Sequence, residues 1–102
     1  MVKLKKYRLL LQIGKMISLG SFLTRKEAER KREEEEPWYK RQAELHPALS
    51  YEIWIEESDL KRKDTICYKG FTYKVAEIGD VIVLRGVFKS AKIQVKDLLK
   101  VR

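Results

Sequence analysis

The sequence predicts a mainly β fold: a small antiparallel β-barrel, with a charged helix and a long central loop inserted near its N-terminal side. Three observations lead there. Short apolar-alternating segments separated by glycine-containing turns fill much of residues 51–102. A run of strong helix formers, "RKEAERKREEEE", occupies residues 25–36 and is followed by Pro37. Between the two lies an irregular stretch, "PWYKRQAELHPALS", with two large aromatic residues and the only histidine. At 102 residues there is room for one domain with one modest core. Within that domain the sequence is read as a basic strand and charged helix (1–36), a long loop (37–50) and barrel strands (51–102).

The elements follow in order. In "KKYRLLLQI" Tyr7, Leu9, Leu11 and Ile13 alternate with Lys6, Arg8, Leu10 and Gln12, so residues 5–13 read as a strand ending at Gly14. Thr24 with Glu27 forms a capping box that starts the helix. Beyond Ala28 that helix has no apolar stripe, and its basic first turns and acidic last turns oppose the macrodipole. In "YEIWIEE" Tyr51, Ile53 and Ile55 share one face, with Glu52, Trp54 and Glu56 on the other. "DTICYKGFTYKVAEI" reads as a hairpin with Lys69 and Gly70 at its tip. Gly79 and Asp80 make a second tight turn, Gly86 ends the strand "VIVLRG", and "KIQVKDLLKV" supplies the last strand.

Charge is unevenly placed. Residues 1–32 hold ten Lys/Arg against Glu27 and Glu29, whereas residues 33–102 hold equal numbers of basic and acidic side chains, so the whole excess of +8 belongs to the N-terminal third. Such a patch suits a polyanion or an acidic protein surface; a solvated face is the plainer reading. Arg25, Lys26, Arg30, Lys31 and Arg32 are the candidates for docking the helix on a neighbouring subunit or ring. The start "MVKLKKYRLLLQIGKMISLG" loosely imitates a signal peptide, but Gln12, Lys15 and Ser18 interrupt its apolar run and no small-residue cleavage site follows. No stretch is long enough to cross a bilayer. The expectation is a protein that is soluble and intracellular where it is made, with no membrane partner.

Signals for catalysis are weak. Cys67 lies between Ile66 and Tyr68 in a strand, where a small apolar packing role is the default, and His46 lies beside Pro47 in the loop. With one His and one Cys there is no metal-ligand set, and glutamates in an "EEEE" run on a helix point around the cylinder rather than converging. No glycine-rich phosphate loop is present. The sequence therefore reads as non-enzymatic, with no catalytic, cofactor-binding or metal-binding residues.

The ordered series over residues 35–84 resembles the head-closure (head–tail joining, or stopper) proteins of tailed bacteriophages. It runs from an acidic-aromatic segment at 36–39 to a Lys/Gln/Ala-rich run at 40–44, then a loop with proline and a strand at 51–55. An acidic pause at Ser58 and Asp59, a basic connector at 61–63, the hairpin "YKGFTY" at 68–73 and a Gly-Asp turn complete it. Family members usually open with two strands, one polar and Thr-rich and one containing tryptophan, where this sequence is read as a basic strand and a charged helix. The resemblance implies a small β-barrel that assembles as a homo-oligomeric ring, typically of six. The ring would sit beneath the portal and its adaptor ring, close the DNA channel after packaging and present the surface to which tail proteins dock. It implies a place in the virion neck, reached from the host cytoplasm during assembly, with contact to packaged DNA possible. In that family the long central loop projects into the lumen, so Pro37, Trp38, Tyr39, Lys40, Arg41, Gln42 and His46 become gate candidates. Trp38 and Tyr39 either pack against the same loop of neighbouring subunits or cover the open end of their own barrel. Two other readings stand beside this one: a nucleic-acid-binding small β-barrel, and a structural adaptor of some other complex.

Overall fold

The computed structural model describes residues 4–100, apart from the side chain of Lys100. Residues 1–3 of the basic opening, and Val101 of the expected last strand, lie outside the described residues. The chain begins as a hairpin of β1 (Lys5–Ile13) and β2 (Lys15–Phe22), turned at Gly14 with φ of 73°. Helix α1 (Arg25–Leu45) then leads to β3 (Tyr51–Asp59), which pairs antiparallel with β1 from Lys5 opposite Asp59 to Ile13 opposite Tyr51. Strands β4 (Thr65–Tyr68), β5 (Phe71–Glu77), β6 (Val81–Arg85) and β7 (Ser90–Gln94) form a meander, and α2 (Val95–Lys100) follows.

Two antiparallel sheets result, of order β2-β1-β3 and β4-β5-β6-β7, and among the described residues they do not close into a barrel. This corrects the barrel expectation. Period-2 alternation shows that each strand buries one face; it does not distinguish one sheet curled on itself from two sheets packed together. Here β2 and β4 come together, with the Cys67 Sγ only 3.3 Å from where a Cβ on Gly20 would lie, but no ladder joins them. A backbone bond from Leu60 N–H to the Leu4 carbonyl (2.9 Å) extends the β1–β3 pairing one step beyond Lys5 and Asp59.

The expected strand faces are present, except that Leu10, on the polar side of β1, is buried as well. Leu9, Leu11 and Ile53 are buried on the inner face of the three-stranded sheet. In the four-stranded sheet Ile66, Tyr73, Val75, Ile82, Leu84 and Ile93 form a second cluster, closed by Leu23 and Leu60. The β4–β5 turn has positive φ at both Lys69 (48°) and Gly70 (84°), the signature of a two-residue type I′ hairpin.

Two more sequence expectations are overturned, and one strand is new. Strand β2 was not assigned from the sequence: a bulge shifts its register between Leu9 and Leu10, and Gly20 at φ of 136° breaks the alternation. The last apolar segment is strand only as far as Gln94 and then turns helical, because Val95 and Leu98, three apart, both pack on the four-stranded core. The largest correction concerns residues 37–50. They are not a long loop: α1 passes through Pro37 and continues to Leu45, leaving only residues 46–50 as connector. Pro37 is exposed, so the Glu33 carbonyl that it cannot serve faces water, and good helix formers resume on its far side. Tyr39 then packs on the cluster beneath and holds the second half in place.

Candidate functional site

Helix α1 carries every candidate residue except His46, its C-cap, so its faces decide what each can do. Thr24 caps it: the hydroxyl accepts from Glu27 N–H at 3.2 Å and donates to the Glu27 carboxylate at 3.1 Å. Ala28 is the one buried residue, and the half-buried positions 32, 35, 36, 39, 42 and 43 continue its stripe at helical spacing. That stripe is mostly polar. The helix meets the cluster of Leu9, Leu11 and Ile53 through Ala28 and the ring of Tyr39, with Arg32, Glu35 and Glu36 half-buried between them, rather than through a row of leucines.

The docking candidates are largely engaged within the chain. The Arg25 guanidinium lies over the Tyr7 ring at 5.3 Å. Lys31 pairs with Glu35 at 2.9 Å and Arg32 with Glu36 at 3.5 Å, both in the orientation less favoured by the helix dipole. The Glu35 carboxylate pushes the Lys31 ammonium up from its ordinary pKa. Lys26 and Arg30 border a shallow groove beside Tyr68, Ile93 and Leu98. On β1, Lys5 pairs with Asp59, and Lys6 pairs with Asp64 at 3.1 Å. Acids from later elements thus neutralise part of the N-terminal excess, which sequence position alone had made look isolated.

The gate candidates divide. Trp38 and Tyr39 meet edge to face, centroids 4.9 Å apart at 89°. Tyr39 is half-buried on its own chain's core, whereas Trp38 is 58% exposed. Pro37, Lys40 and Arg41 are exposed, and the half-buried Gln42 accepts the His46 backbone N–H at 3.1 Å in the C-cap. His46 caps α1 while Cys67 lies in β4 beside Gly20, on separate elements with no bond between them among the described contacts. No group of three or more His, Cys, Asp or Glu side chains converges among the described residues. No described helix is long and apolar enough to cross a membrane.

Two further features went unnoticed in the sequence. The tip of the four-stranded sheet exposes Phe71, Val87 and Phe88, the last two at 90% and 98%, with the Lys89 ammonium 3.3 Å from the Phe71 ring centroid. Beside the tip, Phe71 and Lys69 share a cleft with Glu27, Arg30, Lys31 and Glu34 of α1. Burial there pushes the Glu27 carboxyl above its ordinary value, against the opposing pull of the Thr24 hydroxyl, Arg30 and Lys69. Under the same helix the Tyr51 hydroxyl is enclosed near the Glu36 carboxylate, and its pKa is raised by burial and then by that carboxylate. The pair "VF" after Gly86 was the available signal for the tip, since turn residues in monomeric domains are rarely both apolar. No protein-family model, curated protein or solved structure matches this chain.

Proposed function

We propose that the chain is a structural subunit of a tailed-phage neck, a head–tail joining protein. Copies of it form a ring beneath the portal and adaptor, close the DNA channel and offer a docking surface to the tail. The observation that carries this reading is α1, a 21-residue helix with a single buried residue, which leaves Trp38 and Leu45 facing solvent. An isolated domain gains little from so long and so polar a lid. A subunit flanked by copies of itself and by other rings uses the outer face as contact surface.

Two further points support the reading. The resemblance over residues 35–84 keeps its order on the observed elements, from the acidic-aromatic segment in α1 through β3 to the β4–β5 hairpin. Extents of 47 × 29 × 19 Å and a radius of gyration of 15.2 Å, against about 13 Å for a compact chain of 100 residues, describe an elongated subunit. With residues 37–45 helical, the channel-closing element in this proposal is the second half of α1 with the short connector behind it, not a flexible loop.

The test is assembly on heads. Tailless, portal-bearing heads supplied with the purified protein should gain a ring visible by negative-stain microscopy, and their genome should become resistant to nuclease. Heads that bind no protein, or bind it without retaining DNA, count against the neck role.

A further inference from the structure

The turn between β6 and β7 is built against the usual composition of turns. Gly86 N–H donates to the Lys89 carbonyl at 2.8 Å, which closes the chain tightly around Val87 and Phe88, and both side chains stand almost wholly exposed. Turn apices favour Gly, Asn, Asp and Ser; two large apolar side chains held out to solvent do nothing to close the turn. Phe71, half-exposed, lies at the same end, since the register that sets Lys74 opposite Arg85 brings it level with the turn.

Behind this apex the sheet is basic. Lys74, Arg85 and Lys92 are exposed on β5, β6 and β7, Lys89 sits in the turn, and none of the four forms an ion pair among the described residues. Residues 65–76 and 81–96 hold no Asp or Glu. Glu27 and Glu34 of α1 reach this end on the β4 side, where they share a cleft with Lys69 and Phe71. Lys74 stands directly opposite Arg85, a like-charge pair that costs stability until an anion comes between them. Arg85 also pairs with Ser90, so the Lys74–Arg85 row lies two residues, about 7 Å at 3.3 Å per residue, behind the apex.

We propose that this end of the sheet docks on an anionic membrane surface, with Val87 and Phe88 entering the boundary between headgroups and acyl chains and the cations behind them binding lipid phosphates. An interfacial element buries its apolar part about 5–10 Å deep. At that depth the Lys74–Arg85 row reaches the headgroups, where each unneutralised cation adds to binding. A single-stranded nucleic acid offers the same phosphates but is held by flat stacking faces. Val87 has none, and one face of the Phe71 ring is taken by the Lys89 ammonium, 3.3 Å from its centroid, which leaves Phe88 as the one open platform of the three. The apolar pair therefore favours lipid. The expectation of no membrane partner concerns spanning segments and not a surface contact of this kind. The proposal goes beyond the neck reading and does not rest on it.

The experiment is co-sedimentation of the purified full chain with vesicles, either mixed phosphatidylserine and phosphatidylcholine or phosphatidylcholine alone, over a salt series. The wild type pellets with the anionic vesicles and not with the neutral ones, and moderate salt weakens it. Phe88→Ser, which leaves every charge in place, lowers the partition by at least about tenfold. Lys74→Gln with Arg85→Gln lowers it roughly 25-fold, at about fivefold for each charge near an anionic surface. All three positions are exposed, and circular dichroism confirms that the variants remain folded. A wild type that ignores anionic vesicles overturns the proposal. Binding that Phe88→Ser leaves unchanged overturns it too, because it is then general adsorption of the basic N-terminal third. A wild type that passes over vesicles but takes a single-stranded oligothymidine through Phe88 assigns the tip to nucleic acid, and one that sediments without vesicles until Phe88 is replaced assigns it to another copy of the chain; either result overturns the proposal. Rings on portal-bearing heads without vesicle binding leave the neck reading standing and remove the membrane contact, and vesicle binding without rings does the reverse.

Discussion

The two sheets bury their apolar faces by opposite means. The four-stranded sheet is closed by apolar side chains, Leu23 and Leu60 over Ile66, Ile82 and Leu84, which are fully buried. The three-stranded sheet has an equally apolar face in Leu9 and Leu11, but its cover is α1, which contributes Ala28, Tyr39 and the aliphatic stems of charged residues. A leucine-on-leucine interface holds whatever surrounds it. A lid of ion-paired stems is weaker alone and keeps its charged ends available to something outside. The first region is thus suited to stability and the second to contact.

The sharpest way to break this contrast is Leu84→Ala. It removes a fully buried side chain from the apolar core and should cost about 2–5 kcal/mol in urea unfolding. A loss under about 1 kcal/mol, the typical cost of an ordinary substitution, would show that the four-stranded sheet is not the stable half. Pro37→Ala tests the other region in the opposite direction. With α1 continuous through position 37, alanine restores a backbone donor and should stabilise by roughly 1–3 kcal/mol, with a gain in helical circular dichroism. A change within about 0.5 kcal/mol and no added helicity would return residues 37–45 to a loop.

Smaller effects are expected at the start of α1. Thr24→Ala removes the cap and should cost about 1 kcal/mol, with faster hydrogen exchange confined to the first turns of α1. The smallest concerns pH. Because burial raises the Glu27 pKa above its ordinary 4.5, the folded state holds that proton more tightly than the unfolded one. Stability from this group is greatest in acid and falls as pH rises from the unfolded value through the raised folded one. Glu27→Gln should flatten that part of the profile of melting temperature against pH; an unchanged profile would show that the cleft beside the tip does not desolvate the carboxylate.

Much of the molecule was legible in its alternation and turns. Tyr7, Leu9 and Leu11 announced β1, Ile53 with its neighbours announced β3, and the Lys69-Gly70 tip set the β4–β5 register. Thr24 and Glu27 located the start of α1 correctly. The end of α1 was misread because a proline after a glutamate run is a strong local stop, and only tertiary packing by Tyr39 reveals that the helix continues. Strand β2 was hidden by its bulge, and the open arrangement of the sheets by the fact that facing strands leave no trace in a one-dimensional pattern. Among the candidate residues, Arg25 to Arg32 were read as helical, as observed, and 37–42 as loop, which they are not; partners left no trace, since nothing in the spacing of Arg25, Lys5 or Lys6 foretold Tyr7, Asp59 and Asp64.

The central place of β1 has a consequence for how the chain acquires its shape. Its hairpin with β2 closes across Gly14 and can form as soon as those residues exist, but its other edge waits for β3, with Lys5 meeting Asp59 and Ile13 meeting Tyr51. During synthesis at about 5–20 residues per second, that edge of β1 stays open for several seconds while α1 and the connector emerge. Closing so long a loop is the slow, entropically costly kind of step. The interval is bridged by α1, whose local hydrogen bonds form in about a microsecond and whose Ala28 and Tyr39 belong against β1 and its neighbours. The charged helix therefore delivers β3 to its register: a nascent chain whose α1 cannot form should expose the unpaired edge of β1 to other chains and aggregate.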